Sequence, residues 1–205
     1  MAWQPISKIR SMRVNRVTII IGDRGTGKTT WLKGSPPLNI EGAIQKILIQ
    51  NPNRRFLVLD TFDNPVWRDY PIIQPEEITN FNGIKRLYSG ETDKLQTFIS
   101  KYAYSCVLIF EDATKFIGSK LNRDTRQFIL DSKQKDLDIF FVFHYMMAVP
   151  NDLSRVSDWV ILFKTNEIFN GQIRAKFPNP NIEEAYNRVK AHKNRYHFEA
   201  VEISG

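Results

Sequence analysis

Residues 17–29 read Val17-Thr18-Ile19-Ile20-Ile21-Gly22-Asp23-Arg24-Gly25-Thr26-Gly27-Lys28-Thr29, and this segment carries the strongest structural signal in the chain. A short apolar run rich in β-branched residues precedes the pattern G-x-x-x-x-G-K-[ST], and a helix is predicted directly after it, at Lys28–Lys33. Glycines let such a loop wrap around an anion, its amides point at phosphate groups, and the start of the following helix adds positive partial charge. The stretch therefore predicts a strand, a phosphate-binding loop and a helix, and hence a bound nucleotide.

Two side chains of this loop have predicted roles in chemistry. Lys28 reaches the terminal phosphates of the nucleotide, and the Thr29 hydroxyl is a ligand for Mg²⁺. A degenerate loop that binds a nucleotide without hydrolysing it is the alternative. The predicted nucleotide-binding residues are Gly22, Asp23, Arg24, Gly25, Thr26, Gly27, Lys28, Thr29 and Thr30.

An acidic pair, Glu111-Asp112, follows the apolar run Val107–Phe110. At the carboxyl end of a strand, one acid can hold the Mg²⁺ shell while its neighbour orients or deprotonates an attacking water. Two acids here favour hydrolysis over transfer of phosphate to another acceptor. Without the phosphate loop, the same pair would be read as a charged turn after a core strand.

His144 ends the next apolar run, Ile139–Phe143. In a parallel sheet that end faces the ligand crevice, so the imidazole is a candidate partner for the γ-phosphate or for the attacking water. A histidine with a purely structural role is the alternative. His192 and His197, in the basic tail, have no predicted metal role.

Beyond these motifs, short apolar runs alternate with helical patterns along the chain, which is typical of a parallel sheet with crossover helices. Strands are predicted at Arg16–Ile21, Arg55–Asp60, Ile84–Tyr88, Ser105–Glu111, Ile139–His144 and Trp159–Lys164, with an edge strand within Arg195–Ile203. Helices are predicted at Lys28–Lys33, Ile40–Gln50, Thr92–Lys101, Arg123–Lys135 and Ile182–Ala191. The predicted fold class is α/β, a three-layer P-loop NTPase domain with a mainly parallel central sheet.

Length and charge narrow the function classes. The chain has 205 residues and a net charge of +7, and residues 1–55, 56–118 and 119–205 carry +8, −3 and +2. A basic N-terminal quarter suggests contact with a polyanion, nucleic acid before membrane, although an ordinary solvated surface gives the same count. Arg54 and Arg55, at a strand start, are expected to be solvated.

Other classes are disfavoured by composition. The single cysteine, Cys106, excludes an internal disulfide framework and a four-cysteine zinc site. The longest apolar stretch, residues 139–149, is shorter than the roughly 20 residues of a membrane span, and no signal-peptide core is found. We expect one domain over residues 1–205 with no membrane span, not secreted, with its core at residues 16–167 between a short basic N-terminal segment and a C-terminal helix and strand.

The ordered motifs resemble the FtsK–HerA superfamily of P-loop DNA-translocating ATPases, and within it the small viral genome-packaging ATPases, with the Zot-like phage assembly proteins as relatives. The resemblance spans about residues 16–167 and is carried by Gly22–Thr29, Val107–Ala113, Asp136–Ile139 leading to His144, and Asn151–Arg155 leading to Asp158–Ile161. It implies a RecA-like core that hydrolyses ATP with Mg²⁺, in a ring of five or six subunits with ATP sites between neighbours. It further implies single- or double-stranded DNA held by its backbone, and a capsid or portal-vertex partner.

Three features depart from the family pattern. The acidic pair is usually Asp then Glu; by position Glu111 serves the metal and Asp112 the water, with exchanged roles as the alternative. His144 stands where the family usually has a glutamine sensor, and Lys133 matches the arginine shortly before the sensor strand. Because arginine stabilises γ-phosphate charge in trans better than lysine, the further candidates for that role are Arg123, Arg126 and Arg155.

These observations predict an ATP-hydrolysing DNA translocase that drives a viral genome into a preformed capsid, located in the host cytoplasm or at the packaging vertex of the virion. A nucleoside monophosphate kinase is one alternative, since Gly22–Thr30 also fits a kinase loop; Trp67-Arg68-Asp69 could be mistaken for an acceptor-site motif, but no arginine-rich lid is evident. A nucleotide-regulated phage assembly factor, in which ATP binding rather than turnover acts, is the other.

Overall fold

The computed structural model describes residues 15–88, 92–118, 120, 121 and 123–203, in which seven strands form one sheet. The strands are β1 (Val17–Ile21), β2 (Arg55–Asp60), β3 (Ile84–Tyr88), β4 (Cys106–Phe110), β5 (Leu137–Phe143), β6 (Trp159–Phe163) and β7 (Phe198–Glu202). Their order is β3-β2-β4-β5-β1-β6-β7, and all neighbours are parallel except β6 and β7. The predicted mainly parallel α/β sheet and its edge strand are confirmed, and the structure adds that the edge strand β7 is antiparallel.

Helices cover both faces of the sheet. They are α1 (Lys28–Lys33), α2 (Ala43–Gln50), α3 (Thr92–Tyr102), α4 (Arg123–Leu130), α5 (Asn151–Val156), α6 (Gly171–Lys176) and α7 (Pro180–Ala191). Apolar residues of α1 and α2 pack on one face of the sheet, and those of α3 to α7 pack on the other. The result is a three-layer domain.

Strand sequences explain this layering. Within β1, Ile19 and Ile21 face the core under α3 to α7, whereas Ile20 faces the core under α1 and α2, and all three are fully buried. Successive side chains of a strand point to opposite faces, so a strand covered on both sides must be apolar at nearly every position. The continuous apolar runs seen in the sequence are therefore the central strands of this sheet.

Several helices differ from the prediction in their bounds or were not predicted. The helix predicted at Arg123–Lys135 ends at Leu130 and continues only as a 3-10 turn, Asp131–Lys133. Two helices, α5 and α6, were not predicted, because six residues are too few to show a helical period. The helix predicted from Ile40 begins at Ala43, after Gly42, whose amide donates to the Gln45 side chain.

The expectation that Arg54 is solvated is wrong. Its side chain is only 5% exposed, and it forms ion pairs with Asp136 at 2.7 Å and Asp138 at 2.8 Å. Arg55 is half-buried and donates to the carbonyls of Thr79, Tyr104 and Ser105 rather than to water alone. Both arginines therefore fasten the amino-terminal edge of the sheet.

The carboxyl edge of the sheet positions the site. The loops after β1, β2, β4 and β5 all lie at this edge, where parallel α/β proteins bind ligands. In the part of the chain that the structure describes, no helix has the length and apolarity needed to span a bilayer. The basic N-terminal segment, residues 1–14, lies outside the described residues.

Candidate active site

The loop after β1 is fixed by the ends of the two neighbouring strands. The amide of Gly22 donates to the Phe143 carbonyl of β5 at 3.3 Å, and the amide of Asp23 donates to the Lys164 carbonyl after β6 at 2.9 Å. A Cβ atom at Gly22 would lie 2.5 Å from Cβ of Phe163, so only glycine fits there. The loop is thus held against the sheet edge before it turns into α1.

The turn itself depends on a left-handed backbone. Gly25 and Gly27 have φ values of 72° and 98°, which side chains other than glycine rarely adopt. The Thr26 hydroxyl donates to the Asp23 carbonyl at 2.7 Å and closes the loop from within. Arg24, Gly25, Gly27, Lys28, Thr29 and Thr30 line the cleft, whereas the predicted nucleotide-binding residues Gly22, Asp23 and Thr26 are not among its lining residues.

Lys28 lies at the centre of the loop with its side chain 6% exposed. Its Nζ atom donates to the Gly22 carbonyl at 2.5 Å and to the Asp23 carbonyl at 2.9 Å. Burial lowers the pKa of Lys28 to about 8, although the negative charge of Glu111 opposes that shift. A buried cation whose partners are neutral groups can gain strongly from a phosphate in the cleft.

Glu111 follows β4 and faces the phosphate loop. Its Oε1 atom accepts a hydrogen bond from the Thr29 hydroxyl at 3.4 Å, and its buried Oε2 atom has no hydrogen-bond partner among the described residues. Desolvation raises the pKa of Glu111 to about 7, while the positive charge of Lys28 counteracts the rise. This carboxylate therefore has one oxygen available for a further cationic or donor group.

Asp112 is the next residue and also lines the cleft. Its backbone is left-handed, with φ of 56°, which turns the chain away from the strand direction immediately after Glu111. One carboxylate oxygen accepts a hydrogen bond from the Thr114 hydroxyl. The left-handed residue lets two consecutive carboxylates line one cleft although successive residues of a strand would point to opposite faces.

His144 follows β5 and is half-buried beside the loop lysine. Its Nδ1 atom lies 3.4 Å from Nζ of Lys28. Desolvation lowers the pKa of His144, and the positive charge of Lys28 lowers it further. The imidazole is consequently neutral near pH 7, with Nδ1 able to accept from the lysine.

The structure brings most of the predicted catalytic residues together in one cleft of about 580 Å³: Lys28, Glu111, Asp112 and His144. Lys133 and Arg155 are exposed and are not among its lining residues, and the same holds for Arg123 and Arg126. The described structure therefore gives the cleft none of these four cations from its own chain.

Five residues that line the cleft were missed by sequence reasoning: Asp60, Phe62, Asn64, Pro65 and Tyr196. Asp60, the last residue of β2, is 1% exposed and accepts from the amides of Phe62 and Asn64 and from Arg86. Its position at a strand end was the available signal. Tyr196 lies in the basic tail just before β7, and nothing in the local pattern connects it to the phosphate loop.

The residues fit a nucleotide with Mg²⁺. Positive-φ glycines leave room for phosphate oxygens, and the hydroxyl of Thr29 and the carboxylate of Glu111 are the hard oxygen ligands that Mg²⁺ prefers. Within the described part of the chain, no cluster of three or more His, Cys, Asp or Glu side chains could hold a metal alone. The donor set therefore suits a metal that takes the rest of its shell from phosphates and water.

The comparisons with known proteins agree with this architecture. No protein-family model matches the chain, and no curated protein matches its sequence. Among solved structures, the genome packaging NTPase B204 from Sulfolobus turreted icosahedral virus 2 in complex with AMP has a TM-score of 0.71 and 17% identity, with 93% of this chain and 94% of that chain covered. The same NTPase in complex with ATPγS gives a TM-score of 0.72 and 16% identity, with 92% of each chain covered.

A third structure is B204, the DNA-packaging ATPase from Sulfolobus turreted icosahedral virus, with a TM-score of 0.69, 17% identity and 94% of each chain covered. At these identities the similarity is one of fold. The fold-level resemblance to small viral packaging ATPases that the motifs predict is confirmed: the chain has the mostly parallel, seven-stranded α/β architecture of a P-loop NTPase whose structural neighbours are viral genome-packaging NTPases.

Proposed function

We propose that this protein is an ATP-hydrolysing DNA translocase that drives a viral genome into a preformed capsid. The observation that carries the proposal is the cleft that joins the phosphate loop, Glu111, Asp112 and His144. It lies in a fold shared, over more than nine-tenths of the chain, with genome packaging NTPases solved in complex with AMP and ATPγS.

The phosphate loop would bind the triphosphate. Amides from Gly25 to Thr29 surround the anion, and Lys28 exchanges its carbonyl partners for the terminal phosphates. Thr29 and Glu111 would hold Mg²⁺, which neutralises charge on the phosphates when bound. The hydrogen bond between these two side chains supports Glu111 as the metal-side acid.

Asp112 would then orient the attacking water and accept its proton. It lines the cleft one residue beyond Glu111, without the contact to Thr29 that engages its neighbour. The neutral His144 side chain contacts Lys28, so it would respond when this lysine binds the γ-phosphate. This division of roles supports hydrolysis, since a kinase needs no second acid.

Charge stabilisation in trans would require a second subunit. The candidates Lys133, Arg155, Arg123 and Arg126 are exposed and do not line the cleft of their own chain, which supports a role for one of them at the cleft of a neighbour in a ring of five or six subunits. Arginine at position 155 is favoured over Lys133 by its bidentate geometry. Such a ring would act with capsid or portal-vertex proteins, in the host cytoplasm or at the packaging vertex.

DNA would be held through its phosphates by basic surfaces repeated around the ring. Part of the N-terminal positive charge serves other purposes, because Lys28 is in the phosphate loop and Arg54 is buried in ion pairs. Contacts of the other basic side chains with DNA phosphates would be independent of base sequence and sensitive to salt.

The test is ATP turnover by size-fractionated protein with and without double-stranded DNA. We expect double-stranded DNA to stimulate ATP turnover and raised salt to abolish the stimulation. Single-stranded DNA is compared in parallel. Intact rings whose turnover no DNA changes would contradict translocation. Transfer of γ-phosphate to a nucleoside monophosphate instead of water would establish the kinase alternative.

The kinase alternative has a structural difficulty in its acceptor motif. Trp67 is fully buried, Arg68 pairs with Asp63 at 2.8 Å, and Asp69 pairs with Lys33 at 2.7 Å. The Trp67 ring is therefore part of the core, and the other two side chains form surface ion pairs within the chain.

The assembly-factor alternative is separated by Asp112→Asn in a packaging extract. A translocase loses packaging with this variant, whereas a factor that needs only ATP binding retains it. Lys28→Ala is unsuitable because it also weakens nucleotide binding.

A further inference from the structure

An exposed aromatic ring lines the cleft on the side away from the acidic residues. Tyr196 is 63% exposed, yet it borders the same cleft as the phosphate loop. A Cβ atom placed on Gly27 would lie 3.3 Å from Cδ1 of Tyr196, so the ring lies directly over the turn of the loop. A large ring held this close to the phosphate loop and open to solvent has a face available for a ligand.

The segment that carries this ring, residues 192–197, is fastened to the core. Arg195 Nη2 donates to the Arg24 carbonyl of the phosphate loop at 3.0 Å, and Lys164 Nζ donates to the His192 carbonyl at 2.9 Å. The Asn194 side chain accepts from the Tyr196 amide at 2.9 Å. The backbone beneath the ring is therefore set in place by contacts that do not involve the ring itself.

A further contact stabilises the same turn. The imidazoles of His192 and His197 stack with their centroids 3.8 Å apart, and His197 Nε2 lies 3.1 Å from Oε1 of Glu199 at the start of β7. Tyr196, between them, forms neither contact and instead points at the cleft. The turn thus presents one aromatic side chain to the site.

The order of strands in the sheet indicates which part of a bound nucleotide would contact Tyr196. The loops that supply Glu111, Asp112 and His144 follow β4 and β5, on one side of β1. Tyr196 precedes β7, on the other side of β1. Because Lys28 and the Thr29–Glu111 pair mark the terminal phosphates, the nucleoside end of a bound nucleotide extends toward β6 and β7.

We propose that Tyr196 is the stacking platform for the nucleobase, with the phenol ring face against the base and purines held more tightly than pyrimidines because their larger ring system covers more of it. The proposal deepens the proposed function and rests on nucleotide binding at the phosphate loop. Stacking on an aromatic ring tolerates every base, since each has a π face, so it sets affinity more than it selects one base.

Phe62 is the competing aromatic. It is 61% exposed and lines the cleft after β2, on the side of the acidic residues, where its ring lies 4.9 Å from Nζ of Lys115. Its position places it near the terminal phosphates rather than the base. Removal of the Phe62 ring should therefore affect ATP and a ligand without a base alike, whereas removal of the Tyr196 ring should affect ATP alone.

The experiment compares the binding of Mg²⁺-ATP and of Mg²⁺-tripolyphosphate, by calorimetry, to the full chain and to Tyr196→Ala. We expect the variant to lose about 5- to 150-fold in affinity for ATP, the range that base stacking on an aromatic side chain gives, and to bind tripolyphosphate as the parent does. Tyr196→Phe, which keeps the ring, should bind ATP within about twofold of the parent. Tyr104→Ala, an exposed tyrosine at the far end of the sheet, is the matched control and should change neither ligand.

Each other result overturns the proposal in a distinguishable way. Equal loss of ATP and tripolyphosphate with Tyr196→Ala would mean that the ring only supports the loop. Loss of ATP alone with Phe62→Ala would place the base on the β2 side. A parent protein that binds tripolyphosphate and ATP equally would refute base stacking but keep the phosphate site, whereas one that binds neither would refute the proposed function as well.

Discussion

Nδ1 of His144 lies 3.4 Å from Nζ of Lys28, although the two residues are 116 positions apart in the chain. The loop lysine and the residue at the end of β5 are thereby joined through one contact between nitrogens. Because the pKa of His144 is lowered by desolvation and by Lys28, the imidazole is neutral and accepts from the lysine near pH 7. A movement of Lys28 onto a phosphate would change this contact with His144.

The first prediction concerns this contact. His144→Ala should lower kcat for ATP hydrolysis by about 100-fold, the usual cost of removing one group that stabilises developing charge, with little change in KM. His144→Gln keeps a side chain that can accept from Lys28 and donate to a phosphate, and should retain turnover within about tenfold. Steady-state ATPase assays test both; equal loss with Ala and Gln would contradict a role in hydrogen bonding.

A second prediction follows from Glu111. Its pKa is raised to about 7 by desolvation, from an ordinary value near 4.5. The folded state then binds more protons than the unfolded state between those values, so the stability from this group decreases as the pH rises through that window. Glu111→Gln should abolish hydrolysis yet raise the free energy of unfolding by about 1–2 kcal/mol at pH 8, after allowance for the partial exposure of the side chain.

Urea unfolding of parent and Glu111→Gln at pH 5 and pH 8, without nucleotide or metal, measures this effect. The gain should be larger at pH 8 than at pH 5. A gain that is the same at both pH values would show that burial of the charge is not its cause.

The third prediction is that Lys28 takes up a proton when ATP binds. Burial lowers its pKa to about 8, and the negative charge of a bound triphosphate should raise that value again. Binding of ATP without Mg²⁺ at pH 9 should therefore be accompanied by uptake of close to one proton, and at pH 7 by much less. Calorimetry in buffers with different ionisation enthalpies measures the proton count, and equal uptake at both pH values would exclude Lys28 as its source.

A fourth prediction concerns the amino-terminal edge of the sheet. Arg54→Ala removes a buried cation from Asp136 and Asp138 and should cost about 3–5 kcal/mol in the free energy of unfolding. Because this edge lies opposite the cleft, ATP turnover per folded molecule should stay within about twofold. Chemical denaturation and turnover at matched folded fractions test it, and Arg188→Ala, which breaks only exposed ion pairs, is the control expected to cost less than about 1 kcal/mol.

The central part of the fold could be predicted from the sequence because its signals are local. The strands at Val17–Ile21 and Cys106–Phe110 are buried on both faces, so their sequences are apolar at every position but Thr18, whatever surrounds them. The position of Glu111 at a strand end follows from the same pattern. Helices α5 and α6 were missed because each has only six residues and is held by packing rather than by its own periodicity.

The phosphate loop can be predicted from its own residues, because a glycine-rich turn between a strand and a helix has a geometry that depends on those residues alone. In contrast, the position of Tyr196 over Gly27, the burial of Arg54 and the contact of His144 with Lys28 depend on the packing of distant segments. Burial and contact between distant segments depend on how the strands are ordered in the sheet, and no local pattern encodes that order. The chemistry of the loop is local, whereas the environment that shifts its pKa values and surrounds its ligand is set by packing.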